Sequence, residues 1–181
     1  MTTELSEFNL KPIFASSIIT ITASGNFLQY LTYDYQEATG EYYNRIREDD
    51  DFYLNELDMI SLNMQSFMED LPNTINGHTV IPKVIHAEID FKNETLPYFY
   101  WILKFNGPIK VGLNQYESVM SNEKLDYDVT SIYMFDGNLY PVSVQSSLHY
   151  EVLKNERIVK YWAYKGETVG PKEILRFEKT H

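Results

Sequence analysis

Five polar residues stand at alternate positions of two predicted strands, and their types suit metal chemistry. His86, Glu88 and Asp90 alternate with apolar residues in one strand, and His149 and Glu151 alternate in the same way in another. Imidazole nitrogens and carboxylate oxygens are common ligands of divalent metals, so the five side chains would form a metal site if the two strands paired. The interpretation that we favour is simpler: these are the solvent-facing sides of strands whose other sides lie in the core.

No catalytic motif accompanies these residues. The sequence contains no serine elbow, phosphate-binding glycine loop, dinucleotide fingerprint or paired-histidine zinc helix. It also contains no cysteine, which excludes disulfides, thiolate metal sites and cysteine nucleophiles. We therefore predict no cofactor and no enzymatic activity, and a metal-dependent hydrolase is only the third functional hypothesis.

One long helix is predicted among the elements that would position these residues, from about residue 50 to 71. Three consecutive acids, Asp49, Asp50 and Asp51, suit its start because they can accept hydrogen bonds from first-turn amides and favour the positive end of the helix dipole. Pro72 predicts its end. The apolar residues recur at spacings of three and four and form one stripe: Tyr53, Leu57, Ile60, Met64, Phe67 and Leu71.

The rest of the chain has the patterns of β-strands and turns. Ser16–Tyr35 is predicted to be a hairpin around Gly25, and its return arm has apolar residues on both faces, which indicates that it is covered on both sides or pairs in an assembly. We expect a short strand at Tyr42–Ile46 and a last edge strand at Ile174–Phe177. The predicted fold is α+β: a mainly antiparallel β-barrel or β-sandwich of about eight or nine strands with one long helix. Residues 1–181 form one predicted domain, with 1–15 as an N-terminal arm.

The charge is unevenly distributed along the chain. The formal net charge is −11, and residues 34–70 contain eleven acids and two bases, whereas residues 152–181 contain seven bases and four acids. Such an acidic chain is poorly suited to nucleic acid, which normally needs a basic surface. We expect the acidic residues Asp49, Asp50 and Asp51 to bind basic residues of a neighbouring molecule, namely Arg157, Lys160 and Lys165. No stretch approaches the length of about 18 apolar residues that would span a bilayer, so we predict a protein that is cytoplasmic at synthesis and has no membrane contact.

Aromatic residues are abundant, with fifteen tyrosines, ten phenylalanines and two tryptophans. Tyrosine combines a large contact area with a polar tip, which suits protein interfaces and also ligand cavities. The residues that we expect to form an aromatic surface or cavity are Tyr30, Tyr33, Tyr42, Tyr43, Tyr98, Tyr100 and Trp101.

These patterns favour a non-enzymatic structural or assembly protein. It would act by self-association or by docking to other assembly proteins, as a subunit of a viral particle or phage tail does, and would then reside in the virion. The alternative is a small-molecule binding module in which Tyr98, Tyr100 or Trp101 lines a cavity between helix and sheet.

Overall fold

The computed structural model describes residues 8–181, which form two helices and fourteen strands. The helices are α1 (Glu41–Glu48) and α2 (Asp50–Asp70). The strands are β1 (Lys11–Ile21), β2 (Asn26–Gln36), β3 (Asn73–Ile75), β4 (His78–Val80), β5 (Lys83–Asn93), β6 (Leu96–Asn106), β7 (Gly112–Val119), β8 (Glu123–Lys124), β9 (Asp128–Phe135), β10 (Leu139–Gln145), β11 (His149–Leu153), β12 (Ile158–Ala163), β13 (Thr168–Val169) and β14 (Lys172–Lys179).

Most strands belong to two sheets. The larger sheet has seven strands in the order β11-β12-β9-β1-β2-β6-β5, and the second has five in the order β10-β14-β7-β3-β4. Pairing is antiparallel throughout both sheets except between β1 and β9, which run parallel. Within residues 8–181 neither sheet closes on itself, so the barrel alternative of the prediction is not observed. The chain is mainly β with antiparallel sheets.

One face of the seven-stranded sheet is covered by two different layers. Towards one end of the strands, Phe27 and Phe105 pack with Tyr116, Leu175 and other residues of the five-stranded sheet. Towards the other end, residues of β2, β5 and β6 pack against the two helices in a second cluster that includes Tyr42, Ile46, Ile60, Met64, Phe99 and Trp101. This covered side is called the inner face.

The helix α2 starts and ends close to the predicted positions. Asp49 is its N-cap, and its carboxylate accepts a hydrogen bond from the Phe52 amide at 2.9 Å. Leu71 is the C-cap, directly before Pro72. The buried side of α2 includes Ile60 and Met64, but Phe67, which the stripe also contains, is exposed.

The predicted strand at Tyr42–Ile46 is wrong, because these residues lie in α1. Tyr42 and Ile46 are buried on one side of that helix, and a spacing of four residues repeats on a helix. The turn before α1 is organised by Glu37, whose carboxylate accepts hydrogen bonds from the Thr39 and Gly40 amides at 2.8 and 2.5 Å. The chain therefore has a second helix, which the sequence analysis missed.

Other local predictions differ in their boundaries. Lys11 already lies in β1, so the end of the expected arm belongs to the sheet, and residues 1–7 lie outside the described residues. The last strand, β14, is not an edge strand, because it lies between β10 and β7. The fourteen strands exceed the predicted eight or nine, mainly because β3, β4, β8 and β13 have only two or three residues, too few to show a period of two. In addition, residues 139–153, predicted as one strand, form β10 and β11.

The predicted β1–β2 hairpin is confirmed. Ile18 pairs with Tyr30 and Ile21 with Phe27, and Gly25 in the turn has a φ of 85°. A side chain at Gly25 would collide with the carbonyl oxygen of Gly107, so this turn and the end of β6 approach each other closely. No helix of residues 8–181 is both long enough and apolar enough to cross a bilayer.

Candidate functional site

The most distinctive surface is the side of the seven-stranded sheet that no helix or second sheet of residues 8–181 covers, which we call the outer face. Antiparallel and parallel pairing align its side chains in rows across the strands. The central row contains Glu151, Lys160, Ile132, Ile18, Tyr30, Ile102 and His86, from β11 to β5. The two neighbouring rows contain Trp162, Thr130, Ser16, Thr32, Tyr100 and Glu88 on one side, and Ile158, Met134, Thr20, Leu28 and Lys104 on the other.

The middle of the outer face is apolar and exposed. Ile18, Leu28, Tyr30 and Met134 retain 44, 48, 40 and 42% of their accessible surface. They belong to three adjacent strands, β9, β1 and β2, so the exposed apolar area is continuous. Ordinary surfaces scatter large apolar side chains singly, whereas a contiguous patch marks a site of interaction.

Aromatic rings extend this patch towards β6. The Tyr30 and Tyr100 ring centroids are 5.2 Å apart, and those of Tyr98 and Tyr100 are 6.2 Å apart. Desolvation raises the pKa of Tyr30, with a smaller contribution from Tyr100, so its ring is neutral at physiological pH. Neutral tyrosine combines apolar contact area with a hydrogen-bonding hydroxyl, which suits a protein interface.

Carboxylates occupy the end of the outer face next to β5. The Tyr98 hydroxyl donates to Asp90 at 2.9 Å, and the Tyr53 hydroxyl of α2 donates to Glu88 at 2.5 Å. These hydrogen bonds raise the pKa of Tyr98 and of Tyr53 to about 12, because a nearby carboxylate disfavours a phenolate. The two tyrosines remain protonated donors and orient the two carboxylates.

The same carboxylates protect the edge of the sheet. β5 is an edge strand, and its Ile89 and Phe91 amides are satisfied by Glu88 and Asp90 at 3.0 and 2.8 Å. The Val84 amide donates to Gln65 of α2 at 2.9 Å. An edge whose amides are already bonded is a poor template for another strand. The β5 edge is therefore protected against pairing with another strand.

The five residues considered for a metal site do not converge. β5, with His86, Glu88 and Asp90, and β11, with His149 and Glu151, are the two opposite edges of the seven-stranded sheet. Six strand spacings of about 4.8 Å separate them by roughly 29 Å. Among residues 8–181 no group of three or more His, Cys, Asp or Glu side chains could hold a metal ion. His149 instead pairs with Glu167 at 3.0 Å.

The seven expected aromatic residues divide among different environments. Tyr30, Tyr98 and Tyr100 lie on the outer face, and Tyr43 lines a shallow groove between α1 and the β5–β6 turn. Tyr33, Tyr42 and Trp101 point to the inner side. Trp101 is fully buried and donates from its indole nitrogen to the Ile60 carbonyl at 3.1 Å. Of the three residues proposed for a ligand cavity between helix and sheet, only Trp101 therefore faces the helices, and Tyr98 and Tyr100 lie on the opposite side of the sheet.

One residue of the expected acidic surface interacts with groups of the same chain. Asp49 caps α2 and also forms an ion pair with Arg45 at 2.9 Å. Asp50 and Asp51 are exposed in the first turn of α2 and remain accessible to a partner.

The three expected basic residues lie on different elements. Arg157 packs its guanidinium over the Tyr140 ring at 5.2 Å and donates to the Gly137 carbonyl. Lys160 lies on the outer face opposite Glu151, and Lys165 is exposed in the loop after β12. Only Lys160 of these three belongs to the outer face.

The sequence analysis missed part of the outer face. Ile132, Met134, Lys83 and Lys104 were not selected, although the apolar residues on both faces of the β2 arm pointed to apolar side chains on this side of the sheet. A second feature was missed entirely: Glu173 is buried between the sheets, and its Oε1 and the Tyr161 hydroxyl oxygen have no hydrogen-bond partner of good geometry among residues 8–181. Burial raises the pKa of Glu173 to about 7.

Comparisons with known proteins assign no family. No protein-family model matches the chain, and no curated protein matches it. Its similarity to solved structures is low: a two-domain M1 zinc metallopeptidase bound to L-arginine aligns with a TM-score of 0.40 and 7% identity over 92% of this chain and 42% of that one. An M1 zinc metallopeptidase from Deinococcus radiodurans aligns with a TM-score of 0.37 and 8% identity over 92% of this chain and 42% of that one. The chain spans about two fifths of the length of these proteins.

Proposed function

We propose that this protein is a non-enzymatic assembly protein that works through protein–protein contacts, with the outer face as its contact surface. The observation that carries the proposal is the continuous exposed patch around Ile18, Leu28, Tyr30 and Met134. Burial of such side chains on association stabilises a complex by roughly 25 cal/mol per Å² of apolar area before the entropic costs are subtracted.

The composition of the outer face supports a protein partner. Its centre is aliphatic and aromatic, and its charged residues lie towards the edges, as in the core and rim of protein interfaces. The sandwich-like packing of the two sheets provides a rigid support for this surface, because the inner side of β1, β2, β6 and β9 is anchored in the core. Membership of a viral particle or phage tail, and localisation in a virion, remain predictions from the sequence.

Sedimentation velocity of the purified chain, from low to high micromolar concentration, tests the proposal. We expect the sedimentation coefficient to rise with concentration as the chain self-associates. A parallel series at low and high salt separates apolar from charged contributions, since salt screens exposed charges and strengthens apolar burial. A monomer at every concentration and salt would contradict self-association.

A further inference from the structure

One corner of the outer face combines tyrosine rings with carboxylates. Tyr98 and Tyr100 alternate along the outer side of β6, and their partners in the register with β5 are Asp90 and Glu88. Tyr30 of β2 lies beside Tyr100, with the two ring centroids 5.2 Å apart. We call these five residues the acidic corner. Each of them is partly or fully exposed, so a ligand from solvent can reach them.

The two carboxylates of the acidic corner have no cationic partner within residues 8–181. Neither Glu88 nor Asp90 takes part in any ion pair of this part of the chain. Each carboxylate accepts instead from a tyrosine hydroxyl and from the backbone amide of the next residue. These donors are neutral, so both negative charges remain for a cation from outside this part of the chain to offset.

The negative charge acts on the tyrosine rings of the acidic corner. Desolvation raises the pKa of Tyr100, and the charges of Glu88 and Asp90 raise it further. Desolvation also raises the pKa of Tyr30, with smaller contributions from Tyr100 and Asp90. A carboxylate that disfavours a nearby phenolate favours a cation at the same place. The face of a neutral tyrosine ring attracts a cation as well.

A lysine of the chain shows how an ammonium group fits beside these residues. Lys92 Nζ lies 5.9 Å from the ring centroid of Tyr98 and forms an ion pair with Asp34 at 2.5 Å. Among residues 8–181, no lysine or arginine lies over the ring of Tyr30 or Tyr100. The acidic corner therefore offers a ring and carboxylates of the same kind to a cation from another molecule.

The apolar patch beside the acidic corner indicates what carries this cation. Tyr30 belongs to both surfaces, because it lies next to Tyr100 and pairs with Ile18 of the patch. A small ammonium compound would use the acidic corner alone. A protein segment that has a lysine or arginine beside apolar side chains would complement the charge of the corner and cover the adjacent patch.

We infer that the acidic corner binds a lysine or arginine side chain of a partner protein, whose neighbouring apolar side chains cover Tyr30 and Ile18. This inference rests on the proposed function and specifies the chemistry of the partner. The cationic group lies over the Tyr100 ring and forms ion pairs with Glu88 and Asp90.

An NMR titration of the ¹⁵N-labelled chain tests the inference. The probe is a capped pentapeptide with a central lysine between two valines and with threonine at both ends. We expect saturable shifts of the Glu88, Asp90 and Tyr100 amides, and an affinity that falls when salt rises from about 20 to about 500 mM, because salt screens exposed charges. A peptide with arginine at the centre should bind similarly. A peptide with neutral norleucine at the centre should bind at least about 5-fold more weakly.

A double substitution of the two carboxylates tests their role. Glu88→Gln together with Asp90→Asn removes both charges and keeps an oxygen that accepts hydrogen bonds at each position. We expect the lysine peptide to bind this variant roughly 5- to 20-fold more weakly. The matched control is Glu156→Gln together with Glu178→Gln, which changes the net charge equally at exposed positions of the β11–β12 turn and of the five-stranded sheet. It should bind the peptide as the wild type does.

Two substitutions of Tyr100 test the role of its ring. Tyr100→Leu removes the ring and is expected to weaken binding of the lysine peptide by about 3-fold, whereas Tyr100→Phe keeps a ring that attracts cations and should bind within about 2-fold of the wild type. Circular dichroism and thermal unfolding of every variant accompany the titrations and show whether the fold is retained.

The outcomes separate this inference from the proposed function. Equal affinities for the lysine and norleucine peptides, or equal affinities of the wild type and the double carboxylate variant, would overturn the inference. Free butylammonium that binds as tightly as the lysine peptide, or a neutral oligosaccharide that binds more tightly, would also overturn it. A wild type that self-associates in sedimentation without binding the lysine peptide would leave the proposed function intact. A monomer that binds the peptide at the acidic corner would support the inference and contradict self-association.

Discussion

At the scale of single residues, the most unusual side chain is Glu173. It lies between the two sheets near Tyr116, Tyr133 and Tyr161, and the burial that raises its pKa also raises the pKa of those tyrosines. A buried carboxyl group is more stable when it is protonated, because burial disfavours the charged form. Leu175 and Phe177 of the same strand are fully buried, so the period of two places Glu173 on their side.

The raised pKa of Glu173 predicts that the protein loses stability as the pH rises. The folded-state pKa of about 7 exceeds the ordinary value of 4.5. The folded state therefore binds the proton more tightly, and this contribution to stability is complete below pH 4.5 and is lost as the pH rises through about 7. The free energy of unfolding should fall across this range by up to about 3 kcal/mol more in the wild type than in Glu173→Gln.

Urea denaturation at several pH values between 4.5 and 8 measures this difference. Glu178→Gln, at an exposed position of the same strand, is the matched control and should keep the wild-type pH dependence. Parallel pH profiles of the wild type and Glu173→Gln would show that Glu173 titrates normally and would contradict the expectation.

At the scale of elements, α2 is tied to the start of β5 by one side chain. Gln65 accepts from the Val84 amide at 2.9 Å and donates to the Pro82 carbonyl at 3.4 Å, so a helical residue completes the hydrogen bonds of an edge strand. Without this side chain, the Val84 amide and the Pro82 carbonyl lose their hydrogen bonds to Gln65 and are left to bond with water. We expect Gln65→Ala to reduce the stability by about 1 kcal/mol, the net value of a typical hydrogen bond.

Amide hydrogen exchange followed by NMR provides a local measure of the same effect. The Val84 amide should exchange faster in Gln65→Ala, while amides in β1 and β9 change only with the global stability. Ser66→Ala, at an exposed position of α2, is the control and should leave the Val84 amide unchanged. Equal exchange of Val84 in both variants would mean that Gln65 does not protect this edge.

At the scale of the whole molecule, one sheet joins two core clusters. β6 contributes Phe105 to the cluster between the sheets and Trp101 to the cluster beneath the helices, and β2 is shared in the same way. Because these strands are continuous, we expect both clusters to unfold in a single cooperative transition.

Two matched substitutions test this cooperativity. Ile75→Val in the first cluster and Ile60→Val in the second should each lower the stability by about 0.5–1.5 kcal/mol, since each removes one buried methylene group. Calorimetry and circular dichroism should show one transition in both variants. Ile81→Val, at an exposed position, is the control. A separate early transition affected only by Ile60→Val would show that the helices unfold independently.

The sequence by itself determined those features that depend on near neighbours in the chain. The helix α2 follows from the spacing of Leu57, Ile60 and Met64 and from the acids before it, and the β1–β2 hairpin follows from β-branched residues around Gly25. The apolar residues on both faces of β2 also predicted apolar side chains on its outer side, where Leu28 and Tyr30 are exposed. The sequence did not predict the short helix α1, because Tyr42, Tyr43 and Ile46 are also common in strands. The helix is favoured over a strand by the turn at Glu37 and Gly40, which depends on backbone hydrogen bonds.

Only the tertiary structure decided which strands are neighbours. Strand order joins residues far apart in the chain, as in the parallel pairing of β1 with β9, and periodicity contains no information about it. This order placed His86 and His149 on opposite edges of the sheet. It also brought Lys83 next to Lys104 and assembled the outer face from strands that are distant in sequence, since each strand specifies which sides are apolar but not what lies beside it.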